Sequence, residues 1–360
     1  ELKKMQKTQI VVLFLCLSQC WCAIMQAQDL EVKDFDQFFI PQINIKTELF
    51  NESPLQKGST QTYQHFGIGG NATIPIKGKF DVDLNLNKLK NLKNIKSWKD
   101  LSLKNIGKSI PVDVSGHQIF WTVSGGMRQL QLSIDSSGHR AYYGSTGVMG
   151  LHLQKNFTMW FYGANLGVSE EPSTFRKWQP QLNAYLAQAR VHKYLFLYYY
   201  GVFLNYYDGR ILPIPFIGIN AGLPPFFSLQ ATLPFQLKFT YRKNPKLRAS
   251  IELAWSGFNT GFENRNLLLP NDSPGSTLDR VSLRSTYFKF STIAEYRLTK
   301  GRLLMQVGTA FNRRLQFYSK ETNLLLYTPT IPLYASATFQ INLNDRSLIG
   351  NIWKKLDFHW

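Results

Sequence analysis

The sequence predicts an all-β fold, an antiparallel up-and-down transmembrane β-barrel of about 12 strands (10–14), and three observations predict it. Apolar and polar residues alternate with period two over stretches well beyond the ordinary strand of about 5–6 residues. Aromatics reach 14% of the 360 residues while charged residues are only 18%, below the quarter or so usual in soluble domains. Connections between the alternating stretches fall into two sizes, tight turns and long polar loops, the asymmetry of a barrel that crosses a bilayer.

The first 27 residues read as a signal peptide. Lys3, Lys4 and Lys7 precede an apolar stretch from Ile10 to Leu17, and small and polar residues follow around Ala27, which is the order of a secretory leader. Cys16, Cys20 and Cys22, the chain's three cysteines, all lie in this segment. A disulfide scaffold or a cysteine–zinc site is therefore excluded from the mature chain. Past the leader no run approaches the roughly 20 apolar residues of a spanning helix. Residues 28–58 read as an N-terminal extension, 59–343 as the barrel with a basic insertion at 87–115, and 344–360 as a C-terminal tail.

Within the barrel, strands are expected at about Tyr63–Ile76, Phe80–Leu86, His117–Ser124, Tyr142–Leu153, Phe157–Val168, Leu182–Val191, Tyr194–Tyr207 and Leu212–Ala221. Phe227–Tyr241 keeps every odd position apolar across Pro234, so it reads as one long strand bulged at the proline. Leu247, Ala249, Ile251, Leu253 and Trp255 share a face of the next strand, and Val281–Leu298 follows with Phe288, Phe290 and Tyr296 outward. The last two strands carry Leu303, Met305, Val307 and Phe311, then Ile331, Leu333, Phe339 and Ile341, on their apolar faces. Turns are expected at 77–79, 155–156, 192–193, 243–246 and 299–301, and long loops at 87–115, 169–180, 259–280 and 319–328. Trp160, Tyr162, Trp255, Phe288, Tyr296 and the Tyr194–Tyr207 cluster suit the aromatic girdles of a lipid-facing surface. Arg313 falls on the apolar parity of its strand, as for a side chain reaching the interface near a strand end.

"YYYGVFLNYYDGRILPIPFIGINAG", "FFSLQATLPFQLKFTYRKNPKLRASIELAW" and a leader ending in "AQ" resemble outer-membrane β-barrels of the Bacteroidota, in particular an uncharacterised porin-like family. The resemblance covers roughly Tyr142 to Leu343. It implies a bacterial outer-membrane location with outer-membrane lipids, lipopolysaccharide and other outer-membrane proteins as neighbours. It transfers no functional residue.

Motifs for chemistry are scarce. Asp135, Ser136, Ser137 and His139 lie close together in "DSSGHR", but this reads as a glycine-containing turn and not as a nucleophile with its base. His152 falls on the lumen parity of its strand. No phosphate loop, metal spacing or dinucleotide fingerprint occurs, so neither an enzyme nor a cofactor is expected, and an exported barrel has no nucleic-acid role. Charge says more: the chain carries +18, and Lys238, Arg242, Arg248, Lys289, Arg297, Arg302 and Arg314 fall on lumen parity against Glu252 and Glu295. Such a wall would favour small anions if water fills the lumen. Leu86–Lys108 spaces apolar residues every three positions among lysines, which permits an amphipathic helix with a basic face. A porin-like transport barrel is the first functional expectation, a non-channel subunit or scaffold of a larger outer-membrane complex the second, and a lipid-modifying enzyme a distant third.

Overall fold

A computed structural model describes residues 41–343, apart from 85–111, 134–137, 155–157, 192–195, 208–209, 224–225, 245, 264–279 and 320–321. Its strands are β1 (Gln42–Pro54), β2 (Thr62–Leu84), β3 (Val112–Leu132), β4 (His139–Leu153), β5 (Thr158–Glu170), β6 (Gln181–Val191), β7 (Phe196–Tyr207) and β8 (Arg210–Leu223). They continue as β9 (Phe227–Leu233), β10 (Gln236–Tyr241), β11 (Leu247–Glu263), β12 (Arg280–Leu298), β13 (Gly301–Ser319), β14 (Thr322–Tyr327) and β15 (Leu333–Asn342). Each pairs antiparallel with its sequence neighbour through β13. The far edge of β13 is shared, with β15 on Gly301–Thr309 and β14 on Leu315–Ser319. Pairing of β15 with β1 closes the cylinder. Counting β14 and β15 as one stave gives fourteen among the described residues, two more than the twelve expected.

Two staves come from misjudged segments. β1 lies inside the stretch read as an extension, with Ile43, Ile45 and Leu49 exposed outward and Gln42, Asn44 and Phe50 buried inward. The Phe227–Tyr241 stretch is a hairpin and not one bulged strand: Gln236 pairs with Thr232, and Phe235 N–H donates to the Thr232 carbonyl at 2.6 Å across the turn that holds Pro234. Alternation could not reveal this turn. Partners in the β9–β10 ladder have residue numbers of equal parity, so the phase passes through the hairpin unbroken.

The expected turn at 77–79 is instead part of β2, where the register shifts between Pro75 and Lys77; a proline without an N–H is accommodated at such a bulge. β14 occupies most of the expected loop at 319–328. The termini of the described chain and the β2–β3 connection share one rim with the turns β4–β5, β6–β7, β8–β9, β10–β11 and β12–β13, so the basic insertion opens beside the short turns. Its core, 87–111, and the helix expected at Leu86–Lys108 lie outside the described residues. The opposite rim, which we call the loop rim, holds 171–180 and 264–279.

The wall is not a regular cylinder at the loop rim. Trp255–Phe262 of β11 and Val281–Tyr287 of β12 are buried on both faces. One face packs Phe258, Phe262, Val281 and Leu283 against Leu55, Tyr63, Leu130 and Leu132 from β1–β3 and their connections. The other brings Ser282 to 3.3 Å from the Tyr207 hydroxyl and pairs Gly261 with Glu170 of β5. This half of the β11–β12 hairpin is therefore folded into the lumen. Apolar and aromatic burial on the first face stabilises the infolding, while the second face, with Asn259, Gly261, Ser282 and Arg284, is held by polar contacts.

A β-bulge in β13 accompanies the bend. The register shifts between Thr286 and Phe288, and Asn312 takes up the extra residue with φ 48°, a left-handed conformation that asparagine tolerates better than most residues. Parity reverses beyond it. Arg313 points inward, 3% exposed, donating to Ser53 Oγ at 2.9 Å and lying over the rings of Phe50 and Tyr63. It does not reach the membrane interface, as its sequence parity suggested.

Candidate functional site

Inward side chains of β1–β7 build a belt of short uncharged polar residues. Direct partners run Asn44–Asn71, Asn71–Ser124 and Ser124–Ser145, then, one step of two along the next strand, Asn165–Asn183 and Asn183–Asn205. Neighbours hydrogen-bond along the belt: Asn44 Nδ2 donates to Asn71 Oδ1 at 2.6 Å, Ser124 and Ser145 hydroxyls meet at 2.6 Å, and Asn205 Nδ2 donates to Asn183 Oδ1 at 2.7 Å. The sequence carried a signal for it. Single Asn or Ser residues interrupt the lumen-parity rows of consecutive strands, but without register nothing told that they stand at one height.

Beside the belt lies an apolar wall of Phe120, Met149, Leu151, Met159, Phe161, Ala187 and Tyr199. Belt and wall enclose a cavity of about 440 Å³, whose lining includes Asn44, Asn165, Asn183, Phe161, Tyr199 and Phe235. That volume lies in the range of small-molecule sites. Three buried polar atoms of its lining, Asn165 Oδ1, Ser169 Oγ and Asn259 Nδ2, have no hydrogen-bond partner among the described residues. Buried polar groups are ordinarily satisfied, and these three depart from that rule.

Lys46, Glu48 and Arg128 are the charged residues of the lining. Lys46 and Glu48 pair at 3.1 Å, and the Arg128 guanidinium sits 4.2 Å from the Tyr143 ring centre and 4.9 Å from that of Phe258. Gly69 makes room for Tyr143, because a Cβ there would stand 1.8 Å from its hydroxyl.

None of the seven lumen-parity cations lines this cavity. Lys238 and Lys289 are buried on the β10–β12 wall, with Lys289 Nζ 5.2 Å from the Tyr334 ring centre. Arg248, Arg297 and Arg302 gather around Glu295 near the turn rim, at 4.0, 3.3 and 3.3 Å, and Arg242 follows the end of β10. Glu252 accepts from Gln236 and, at 2.9 Å, from Gln306. Arg314 pairs with Thr286 across the bulge, in the row opposite to that of Arg313, and is half-buried.

Other expected positions also move. His152 faces outward and is exposed, between buried Leu151 and half-buried Leu153, since the inward row of β4 is the odd one. Trp255 is 4% exposed and stacks on Phe235 at 5.8 Å, because the wall turns inward at that residue; it belongs to no girdle. The two-faced aromatic strand β7 resolves to Tyr199, Phe203 and Tyr207 inside and Tyr200 and Leu204 outside. His139 sits 3.4 Å from Glu171 Oε2, while Asp135, Ser136 and Ser137 lie outside the described residues. No group of three or more His, Cys, Asp or Glu able to hold a metal occurs among the described residues.

A latch holds the infolded hairpin. Glu170, fully buried, accepts from Arg280 Nη2 at 2.5 Å and Nε at 3.1 Å, and from Thr174 Oγ1 at 2.9 Å. Glu171 N–H donates to the Gly261 carbonyl at 2.9 Å, and its carboxylate accepts from Glu263 N–H at 3.0 Å. A 3₁₀ helix over Pro172–Lys177 carries the Thr174 arm. The sequence showed only a polar loop here.

No protein-family model matches the chain, and no curated protein matches it. Among solved structures, an outer-membrane channel from Pseudomonas putida F1 is 10% identical with a TM-score of 0.36, over 84% of this chain and 96% of that one. The transport unit of the autotransporter AIDA-I from Escherichia coli is 10% identical with a TM-score of 0.32, over 91% and 98%. The P. putida toluene transporter TodX is 8% identical with a TM-score of 0.24, over 86% and 91%. Superpositions this loose carry no argument about function.

Proposed function

We propose that the chain is a bacterial outer-membrane barrel of porin-like type that passes small solutes through its lumen. Closure of the sheet removes every free edge along most of the wall, as a strand structure in hydrocarbon requires. Ile45, Leu166, Leu186, Ile251, Phe290 and Val307, all exposed, give the outer face the apolar band of such a barrel. The carrying observation is the cavity of about 440 Å³ inside the cylinder, lined by the polar belt and by the apolar wall. A solid-cored scaffold would have no use for it.

Reconstituted protein in liposomes tests this reading. Swelling in isotonic neutral sugar, or conductance across a planar bilayer, is expected. Protein that is folded, as judged by a gel shift between unheated and heated samples, yet gives neither swelling nor conductance would favour the non-channel scaffold. The infolded β11–β12 hairpin is the one feature that supports such a scaffold.

A further inference from the structure

The wall has a notch. β8 pairs with β7 along Arg210–Ala221 but with β9 only along Ile217–Leu223. On the other side, β10 covers β11 only from Ala249 to Ala254. The short β9–β10 hairpin thus ends at its turn while both flanking strands run on toward the loop rim, and β11 leaves the wall there to enter the lumen.

The edge of β8 is adapted to stay unpaired. Alternate residues of a strand direct their N–H groups to the same neighbour, and Pro213 and Pro215 stand two apart within the stretch that lacks a β9 partner. Because β8 keeps its ladder to β7, their missing N–H groups fall on the open side, where prolines of a sheet belong. Ile211, Pro213, Pro215 and Ile217 are exposed in a row on the outer face, with Ile211 69% and Ile217 60% exposed. The notch accordingly lies at a height where the outer surface is still lipid-facing.

Aromatic side chains fill it. Phe203 and Ile214 from inside meet Phe235 of the turn and Trp255 of β11, with Phe216 and Phe288 packed against them. Phe216, Phe235 and Ser256 also line the cavity, so the ring cluster at the notch borders the cavity directly. No ladder hydrogen bond ties β8 to β11 across this cluster; its backbone tie is Trp255 N–H donating to the Phe235 carbonyl at 2.7 Å, which the ring of neither residue makes.

We infer that the gap between β8 and β11 is a lateral portal through which a small, uncharged amphipathic solute moves between the cavity and the membrane, its apolar flank against Phe161, Tyr199 and Phe235 and its polar flank against the Asn/Ser belt. The inference rests on the transport reading above for its direction of use, but the portal is tested separately. Full-length protein in liposomes is mixed with the uncharged probe N-phenyl-1-naphthylamine, and the rate of its fluorescence rise at the protein is followed by transfer from tryptophan. Phe235→Ala should speed the rise about tenfold, by deleting the stacked ring, and Trp255→Leu, read by total probe fluorescence, should act in the same direction. Ile214→Arg, which puts a charge into the ring layer, should slow it by a similar factor. Each variant is scored only if its gel shift on heating is retained. Rates unchanged in both ring-deletion variants, or a probe that gives no saturable signal with unmodified protein, would overturn the portal. Absence of sugar swelling in unmodified protein would instead overturn transport through the lumen, whatever the probe does.

Discussion

Arg280→Met cuts the latch between the loop rim and the infolded hairpin. Glu170 has no exposed surface, and the Arg280 side chain is 9% exposed, so the methionine would fill the space while leaving a carboxylate buried without its cation. Breaking a buried pair by removing one partner costs about 3–5 kcal/mol. The barrel ladders do not depend on this contact, whereas it ties the hairpin, through Arg280 at the start of β12, to Glu170 at the end of β5. The cost therefore falls on the closed arrangement. At 1.4 kcal/mol per factor of ten, the ratio of closed to open should drop by about two to nearly four orders of magnitude. Single-channel recording in planar bilayers reads this as open probability. The double change Glu170→Gln with Arg280→Met removes both charges and should lie close to the unmodified protein, since a neutral pair leaves no uncompensated ion. Arg280→Met protein that keeps its gel shift on heating yet opens no more often would refute the reasoning, and a double variant as leaky as the single one would refute its electrostatic part.

Three further outcomes are expected. Ile251→Arg, on the exposed outer row of β11, should destabilise the barrel by about 2–4 kcal/mol if the residue sits at the bilayer midplane, measured by urea unfolding in lipid vesicles. Asn312→Gly should be neutral within about 1 kcal/mol and Asn312→Val should cost roughly 1–2 kcal/mol or more, because the left-handed bulge position (φ 48°) admits glycine and penalises a branched side chain; equal stabilities would discount the bulge. Glu295→Gln should raise the anion-over-cation permeability ratio read from reversal potentials, since Arg248, Arg297 and Arg302 lose their shared counter-charge. The increase should shrink as salt rises past about 0.1 M, where screening acts over about 10 Å.

The class of fold and the sidedness of most strands were legible in the residues alone. Period-two alternation is a local property of the pleat, so Leu237, Phe239, Ile251, Met305 and Phe339 were assigned to the outer face from neighbours alone, and all are exposed there. What alternation cannot carry is pairing. A ladder whose partners have numbers of equal parity, as in β9–β10, transmits the phase through a turn, so a hairpin looked like one strand. Nor can it register an inserted residue that flips the row. The bulge at Asn312 sent Arg313 inward and Arg314 to the opposite row with no mark in composition. The Asn/Ser belt, the Glu170–Arg280 latch and the notch beside Pro213 and Pro215 each join residues far apart in the chain. Only register, and the inward fold of β11 and β12 that buries Phe258 and Leu283 against β1–β3, brings them together, because those contacts are decided by which surfaces meet across the lumen and not by any local preference of the chain.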